Sequence, residues 1–212
     1  MKKKSCLIFL LCLVVVFFSL IPAYSIDKGS DGIRNVDFLN LSYPSTLCHN
    51  EYGGDGLGQN VQVSDGEFKL QRGKDENVFV YFGVVNNKVL YGDLTSDGRE
   101  DAVIHIGCGI SNYNYGLNEI FIYTYNSGKE YLLAHISDRD MERDYKKYYK
   151  SANDSLWSAI NAIRVNNGTL KIEKYSEGPH CCPEHVTTFT YKLNGTSLVL
   201  DKKPERKKFT SK

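Results

Sequence analysis

Apolar and polar residues alternate along most of the chain after residue 60, in short runs separated by turn residues. A two-residue period of this kind is typical of strands that bury one face. The pattern predicts strands at 61–63, 67–70, 78–85, 89–91, 102–106, 120–125, 131–136, 162–165, 169–175, 186–193 and 197–200.

Asparagine, aspartate and glycine stand between consecutive predicted strands. These residues adopt the positive φ that tight hairpin turns require. The segments that predict turns are Asp65-Gly66, Asn86-Asn87, Asn126-Ser127-Gly128, Asn166-Asn167-Gly168 and Asn194-Gly195. About five hairpins indicate a mainly β fold built as an antiparallel sheet in one domain. A β-rich α+β fold is the alternative.

The segment 138–160 has a different pattern. It is charged and rich in tyrosine, and Met141 and Tyr145 recur at helical spacing. Ser137 or Asp138 would cap such a helix. The sequence therefore predicts a short helix or an ordered long connection here, and at most one or two short helices in the whole fold.

The N-terminus has the three parts of a secretory signal peptide. Residues 2–4 are lysines, 7–20 is an almost unbroken apolar run, and 23–25 has the small-x-small pattern of a cleavage site. The run is short for a membrane span, and no second apolar run follows. We expect a signal peptide over 1–25, cleaved near Ser25, and a single β-rich domain over 26–200 that is secreted or periplasmic, with no membrane span.

The distribution of charge argues against one class of partner. The chain has 26 basic and 25 acidic residues, but the leader holds three lysines and no acidic residue. The segment 201–212 holds six basic and two acidic residues, so the body between leader and tail is acidic. An acidic body is not typical of a nucleic-acid-binding protein. The basic segment 201–212 is predicted to be a flexible tail.

Four cysteines follow the leader: Cys48, Cys108, Cys181 and Cys182. In an oxidising compartment they predict two disulfides, with three possible connectivities. A bridge between Cys181 and Cys182 would be strained, so each is expected to reach Cys48 or Cys108. The alternative is a metal site, because 180–185 contains two cysteines and two histidines, although adjacent cysteines rarely chelate one zinc ion well.

The segment 93–101 carries the sharpest chemical signal. Oxygen ligands would come from the side chains of Asp93, Thr95, Asp97 and Asp101 and from the backbone carbonyl of Arg99. Gly98 stands where a calcium loop must turn sharply. This spacing resembles the short calcium loops of FG-GAP and VCBS repeats, in a single copy and with threonine at the third position. It predicts a weak Ca²⁺ site, and the alternative is a polar turn whose aspartates bind backbone amides.

Three segments together resemble the LppP/LprE-type family of small secreted bacterial proteins. They are Asp37–Asn40 with Tyr43-Pro44 and Cys48, Val89–Gly98 with Cys108, and Gly178–Pro183. The resemblance implies export and an envelope or extracellular setting. It implies no reaction and supplies no catalytic residue. Mycobacterial members are lipoproteins, whereas this chain lacks a convincing lipobox.

The histidines stand in no recognisable nucleophile motif, and His105, in an apolar strand, is expected to be a hydrogen-bonded core residue.

Tyrosines are concentrated in 113–149, and exposed tyrosine provides flat contact area for protein or sugar. The sequence thus favours a non-catalytic binding or envelope-associated protein, whose partner is an unknown protein or glycan. The alternative is a secreted hydrolase with a site not recognisable from sequence.

Overall fold

Antiparallel sheets make up most of the fold, which confirms the predicted fold class. The structure is a computed structural model and describes residues 31–74, 77–112, 116–151, 155–166, 168–179 and 181–210, so the expected signal peptide lies outside the described residues. The described strands are β1 (Ser42–Pro44), β2 (Asn60–Gln62), β3 (Glu67–Gln71), β4 (Phe79–Gly92), β5 (Asp101–Ile110), β6 (Gly116–Asn126), β7 (Lys129–Ser137), β8 (Leu156–Asn166), β9 (Thr169–Ser176), β10 (His185–Asn194), β11 (Ser197–Leu200) and β12 (Glu205–Lys208).

Three short α-helices occur in the described ranges, against the one or two that were expected. They are α1 (Asp31–Arg34), α2 (Leu47–Tyr52) and α3 (Asp138–Lys146), with 3₁₀ turns at Phe38–Asn40 and Gly53–Asp55. Helices of one or two turns leave too short an apolar period to recognise in a sequence. None of the helices described is long and apolar enough to cross a membrane.

The central sheet has the strand order β3-β4-β5-β6-β7, and the second sheet has the order β11-β10-β9-β8, with β12 also paired to β10. The central sheet is covered on both faces. Ala102, Ile104 and Ile106 pack against the N-terminal segment, whereas Val103 and Ile120 pack against the second sheet and α3. The fold therefore has three layers, with β5 and β6 buried in the middle one.

The predicted hairpin at 78–91 is wrong. Asn86 and Asn87 do have positive φ, at 56° and 50°. They interrupt β4 without reversing it, because the pairing with β5 shifts between Val84 and Val89 and then continues in the same direction. The two asparagines thus form a bulge. The strands on either side of 126–128, of 166–168 and of 194–195 pair as antiparallel neighbours, as predicted.

The predicted helix is confirmed as α3. Ser137 caps it, since the Ser137 hydroxyl accepts from the Asp140 amide and the Asp140 carboxylate accepts from the Ser137 amide. This reciprocal pair is a capping box. The helix ends at Lys146, and the segment runs into a strand that begins at Leu156.

The basic C-terminal segment is ordered where a flexible tail was expected. Glu205–Lys208 pairs with the first half of β10 as strand β12. The segment is also attached by side chains, since Pro204 is buried and Phe209 packs edge-on against Tyr175. The sequence pattern does not predict this strand, because all four of its residues are exposed and apolar and polar positions do not alternate. The backbone carries the pairing.

One disulfide forms among the four described cysteines, so the expectation of two is wrong. Cys48 in α2 is bonded to Cys108 in β5, with Cα atoms 6.1 Å apart. Cys181 and Cys182 are exposed and free. They lie in the β9–β10 connection and reach neither of the other two cysteines. The bond thus joins the N-terminal layer to the central sheet.

A buried glutamate supports the same junction. Glu119 in β6 is fully buried, and its Oε1 accepts from the Leu47 amide and the Thr46 hydroxyl, both at 2.8 Å. The His135 Nε2 lies 3.1 Å from that oxygen. Burial alone would raise the pKa of Glu119, but His135 and the donors at the start of α2 outweigh burial and lower it. The ionised carboxylate thus fixes the beginning of α2.

We expect loss of the disulfide to destabilise the whole fold. The bond closes a loop with a sequence separation of 60 residues, which corresponds to about 4 kcal/mol in the chain-entropy model. Urea unfolding of the Cys48→Ala/Cys108→Ala variant should show a free energy of unfolding lower by about this amount. The matched control is Cys181→Ser/Cys182→Ser, which should unfold like the parent. Equal midpoints for parent and Cys48→Ala/Cys108→Ala would contradict the assignment.

Candidate functional site

A groove opens where the two main sheets diverge. Its main hollow has a volume of about 320 Å³ and is lined by Val85, Asn86, Lys88, Leu90, Val103, His105, Ile160, Asn161, Ala162 and Ile163. These residues come from β4 and β5 of the central sheet and from β8, the edge strand of the second sheet. The bulge of β4 supplies Asn86 and Lys88 at the rim. Six of the ten lining residues are apolar and four are polar, so the hollow offers both kinds of contact to a small molecule.

His105 is a half-buried polar group of this hollow, and its orientation is fixed. Its Nε2 lies 2.7 Å from Oδ1 of Asn118. The Asn118 amide nitrogen donates to the Asp138 carboxylate at 2.9 Å and to the Ser158 carbonyl at 2.6 Å, which settles which end of the amide is oxygen. His105 Nε2 must therefore donate. In the neutral ring Nδ1 is then left as the acceptor for a ligand.

The protonation state of His105 follows from its surroundings. Burial lowers its pKa, and the nearby Lys174 lowers it further, against the opposing effects of Asn118 and Asp138. The imidazole is thus neutral near pH 7. A neutral imidazole with one nitrogen already used binds a hydroxyl, amide or acid proton through the other.

Behind His105 lies a buried ion pair that joins the two sheets. Lys174 in β9 is 1% exposed, and its ammonium contacts the Asp138 carboxylate and donates to the Ser158 carbonyl at 3.0 Å. Burial lowers the pKa of Lys174, against the effect of Asp138. Asp138 is the first residue of α3, and it also accepts from the Asn118 amide groups. One carboxylate thus connects β6, β9 and α3 to the His105 ring.

A second hollow of about 310 Å³ adjoins the first and shares Val85 with it. Phe79 and Tyr81 line it from β4. Gly83 and Gly107, which also line it, are direct partners across β4 and β5, so no side chain rises between the two strands there. The two hollows together form an elongated surface, and the second hollow is the more apolar of the two.

The predicted calcium loop is a connection between β4 and β5 whose carboxylates bind backbone amides. Asp93 accepts from the amides of Asp97 (3.2 Å) and Gly98 (2.9 Å). Asp97 accepts from the Arg99 amide and forms an ion pair with the Arg99 guanidinium at 2.6 Å. Thr95 Oγ1 lies 3.4 Å from Asp93. These contacts are those of the polar-turn alternative.

Asp101 closes the loop from the first position of β5. It is 1% exposed, and its Oδ2 accepts from the amides of Leu94 and Thr95. Burial raises its pKa, although the hydrogen bonds from Thr124, Leu94 and Thr95 oppose the shift. In the described ranges, one group of His, Cys, Asp or Glu side chains brings three ligand atoms within 4.8 Å of one another, and it consists of Glu177, Glu184 and His185. The carboxylates of the 93–101 loop do not form such a group. Calcium binding here stays a prediction.

The tyrosine-rich region does not form one surface. Tyr123 and Tyr145 are buried in the two cores. Tyr131 and Tyr148 are exposed but lie on different elements, at β7 and after α3. Tyr113 and Tyr115 lie outside the described residues. Tyr125 and Tyr149 pack against the cores, so four of the six described rings serve packing.

The sequence predicts His105 to be a hydrogen-bonded core residue. The hydrogen bond is confirmed, but the ring is half-buried and lines the groove, which the sequence did not predict. The groove depends on how far β8 lies from β4, and no local pattern encodes that separation. One signal was present. Lys174 follows Leu170 and Ile172 on the same face of an alternating strand, and a lysine on an apolar face indicates a buried partner.

We expect the ion pair to matter for stability as well as for the groove. In Lys174→Met the Asp138 carboxylate loses its cation in a buried position, and removing one partner of such a pair costs about 3–5 kcal/mol. Chemical denaturation should show a loss of this size. Lys171→Met on the outward face of the same strand is the matched control and should change stability by about 0.5 kcal/mol at most. An unchanged midpoint for Lys174→Met would refute the structural role.

The calcium prediction has a direct test. Three carboxylates, a hydroxyl and a carbonyl need water to complete the shell, so we expect a weak affinity of about 10⁻⁴–10⁻³ M. Millimolar Ca²⁺ should then raise the melting temperature modestly, and Asp97→Ala should abolish the rise. Asp201→Ala, which also removes an exposed ion-paired carboxylate, should keep it. Identical melts of the parent in calcium and in chelator would reject the site.

Comparisons with models of protein families, with curated proteins and with solved structures found no match. The resemblance to the LppP/LprE-type family therefore stays an expectation from the sequence. The chemistry of the groove is the basis for proposing a function.

Proposed function

We propose that the chain is an exported, non-catalytic binding protein that takes a small amphipathic molecule into the groove between β4, β5 and β8. The leader pattern over residues 1–25 and the Cys48–Cys108 disulfide support export, since such bonds persist in oxidising compartments. In this proposal the protein acts outside the cytosol, in the medium, the periplasm or the envelope.

The observation that carries the proposal is the fixed acceptor of His105. Asp138 orients Asn118, Asn118 orients His105, and Nδ1 is left for a ligand in a hollow lined by both apolar and polar side chains. Such preorganisation lowers the cost of ordering the site on binding. A polar group held this way beside apolar side chains gives a ligand both orientation and burial.

The lining also indicates the chemistry of the ligand. Leu90, Val103 and Ile160 suit an apolar body of a size that fits about 320 Å³. Nδ1 of His105 suits a hydrogen-bond donor. Lys88 at the rim is exposed and forms no ion pair within the described residues, so it suits an anionic group. We therefore propose an anionic amphiphile that carries a hydroxyl, amide or acid proton.

Binding is favoured over hydrolysis by what surrounds Nδ1. A neutral histidine oriented by a second residue is also what a general base needs. A nucleophile or an activated water would have to stand beside it, and no hydroxyl or thiol among the described side chains donates a hydrogen bond to Nδ1. A secreted hydrolase remains the alternative proposal, and turnover of a bound probe would support it.

The groove is tested with a fluorescent naphthalene sulfonate, an anionic aromatic probe. We expect saturable one-site binding by the parent protein. Ala162→Trp fills the main hollow and should weaken binding at least about tenfold, which is 1.4 kcal/mol. Val199→Trp places the same indole at an exposed position of β11, on the far edge of the second sheet, and should bind like the parent.

Lys88→Glu is a second variant, at the rim of the groove. It should leave the melting temperature unchanged and lower the affinity for the anionic probe. Parent-like affinity in both Ala162→Trp and Lys88→Glu would mean that the probe binds elsewhere, and the groove proposal would fail.

A further inference from the structure

We propose a second site, a Zn²⁺ centre formed by Glu177, Glu184 and His185 where β9 connects to β10. It is independent of the groove. Glu177 directly follows β9, and His185 begins β10. The Glu184 amide lies 3.2 Å from the Glu177 carbonyl, so the backbone brings the two sides of the connection together. One ligand atom from each of the three side chains lies within 4.8 Å of the other two.

The carboxylate of Glu177 is positioned by groups outside the proposed centre. Glu177 is 9% exposed, and its Oε1 accepts from the Tyr145 hydroxyl at 2.9 Å and contacts the Arg206 guanidinium. Its other oxygen, Oε2, faces His185. Hydrogen bonds that orient a ligand from behind are a regular feature of metal sites. Tyr145 and Arg206 thus present Oε2 to the space that Glu184 and His185 border.

His185 contributes a nitrogen that forms no hydrogen bond within the described residues. Its Nδ1 is buried and lies 2.9 Å from Oε2 of Glu177, but the two atoms are not aligned for a hydrogen bond, and no other described group bonds to Nδ1. The ion pair with Glu177 forms only when the imidazole is protonated, so the neutral ring leaves a buried nitrogen without a hydrogen bond, which is costly. A cation bound to both atoms would remove that cost.

The geometry requires only a small adjustment. Zn–N and Zn–O bonds of about 2.0–2.2 Å hold tetrahedral ligand atoms roughly 3.4 Å apart, so His185 and Glu177 would separate by roughly half an ångström. Glu184 is exposed and free to swing inward as the third ligand, and water would complete the shell. Gly178, with φ of +78°, lets the connection fold back against Glu184.

The donor set selects the class of metal. One imidazole with two carboxylates suits Zn²⁺ better than Ca²⁺, which prefers oxygen ligands alone. Cys181 and Cys182 lie in the same connection, but their sulfurs are not in the group of atoms that meet within 4.8 Å. The proposal therefore assigns the metal to the glutamates and the histidine and leaves both thiols outside its shell.

The test is a calorimetric titration of untagged protein with Zn²⁺ at pH 7. We expect one equivalent to bind and the bound protein to melt at a higher temperature. Glu184→Gln removes an exposed ligand and should lower the affinity for Zn²⁺ at least about tenfold. Its melting temperature in chelator should equal that of the parent. Tyr145→Phe keeps all three ligands and should weaken Zn²⁺ by about tenfold or more through loss of orientation.

Two controls separate this centre from other sites. Glu142→Gln removes an exposed, ion-paired carboxylate on α3 and should bind Zn²⁺ like the parent. Cys181→Ser/Cys182→Ser should also retain binding. Loss of binding in the cysteine variant together with parent-like affinity in Glu184→Gln would show a thiolate site and overturn the proposal. Absence of Zn²⁺ binding by the parent at millimolar metal would overturn it as well.

Discussion

The ion pair between Lys174 and Asp138 is the constraint on which the arrangement of the layers depends. Two opposite charges between sheets are tolerated only if each finds its partner, since an unpaired charge there would cost several kcal/mol. The pair therefore admits one placement of β9 relative to α3. It also fixes Asn118, and through Asn118 the ring of His105. The stability of the fold and the orientation of His105 in the groove thus both depend on the carboxylate of Asp138.

The opposite face of the central sheet is held by different means. There the N-terminal segment has little regular structure of its own, and its hold on the sheet rests on buried side chains such as Phe38 and Tyr43, on the Cys48–Cys108 bond and on the carboxylate of Glu119. A layer made of short helices and turns gains little from backbone pairing. Covalent and charge-assisted contacts take the place of a hydrogen-bonded ladder.

Local chemistry was readable from the sequence, and distant geometry was not. Alternation and turn residues predicted most strands, and the capping signal at Ser137 located α3. The Asn86-Asn87 pair shows the limit, because two residues with positive φ make either a turn or a bulge, and the choice depends on whether β5 is there to continue the pairing. The cysteines show it again, since the partner of Cys48 depends on which strand lies beneath α2. The groove and the cluster at Glu177 arise from contacts between elements far apart in sequence, which periodicity does not report.

The Cys48–Cys108 bond also determines how the chain would respond to mechanical force. Tension applied at the two ends passes from α2 to β5 through the sulfur atoms and bypasses the chain between them, a sequence separation of 60. At about 3.5 Å per extended residue, roughly 210 Å of contour length is withheld from stretching. Strand β4 and His105 lie inside that withheld loop, whereas β8 lies outside it. Force would therefore pull the groove apart along the boundary between its two walls while leaving the wall from the central sheet covalently closed.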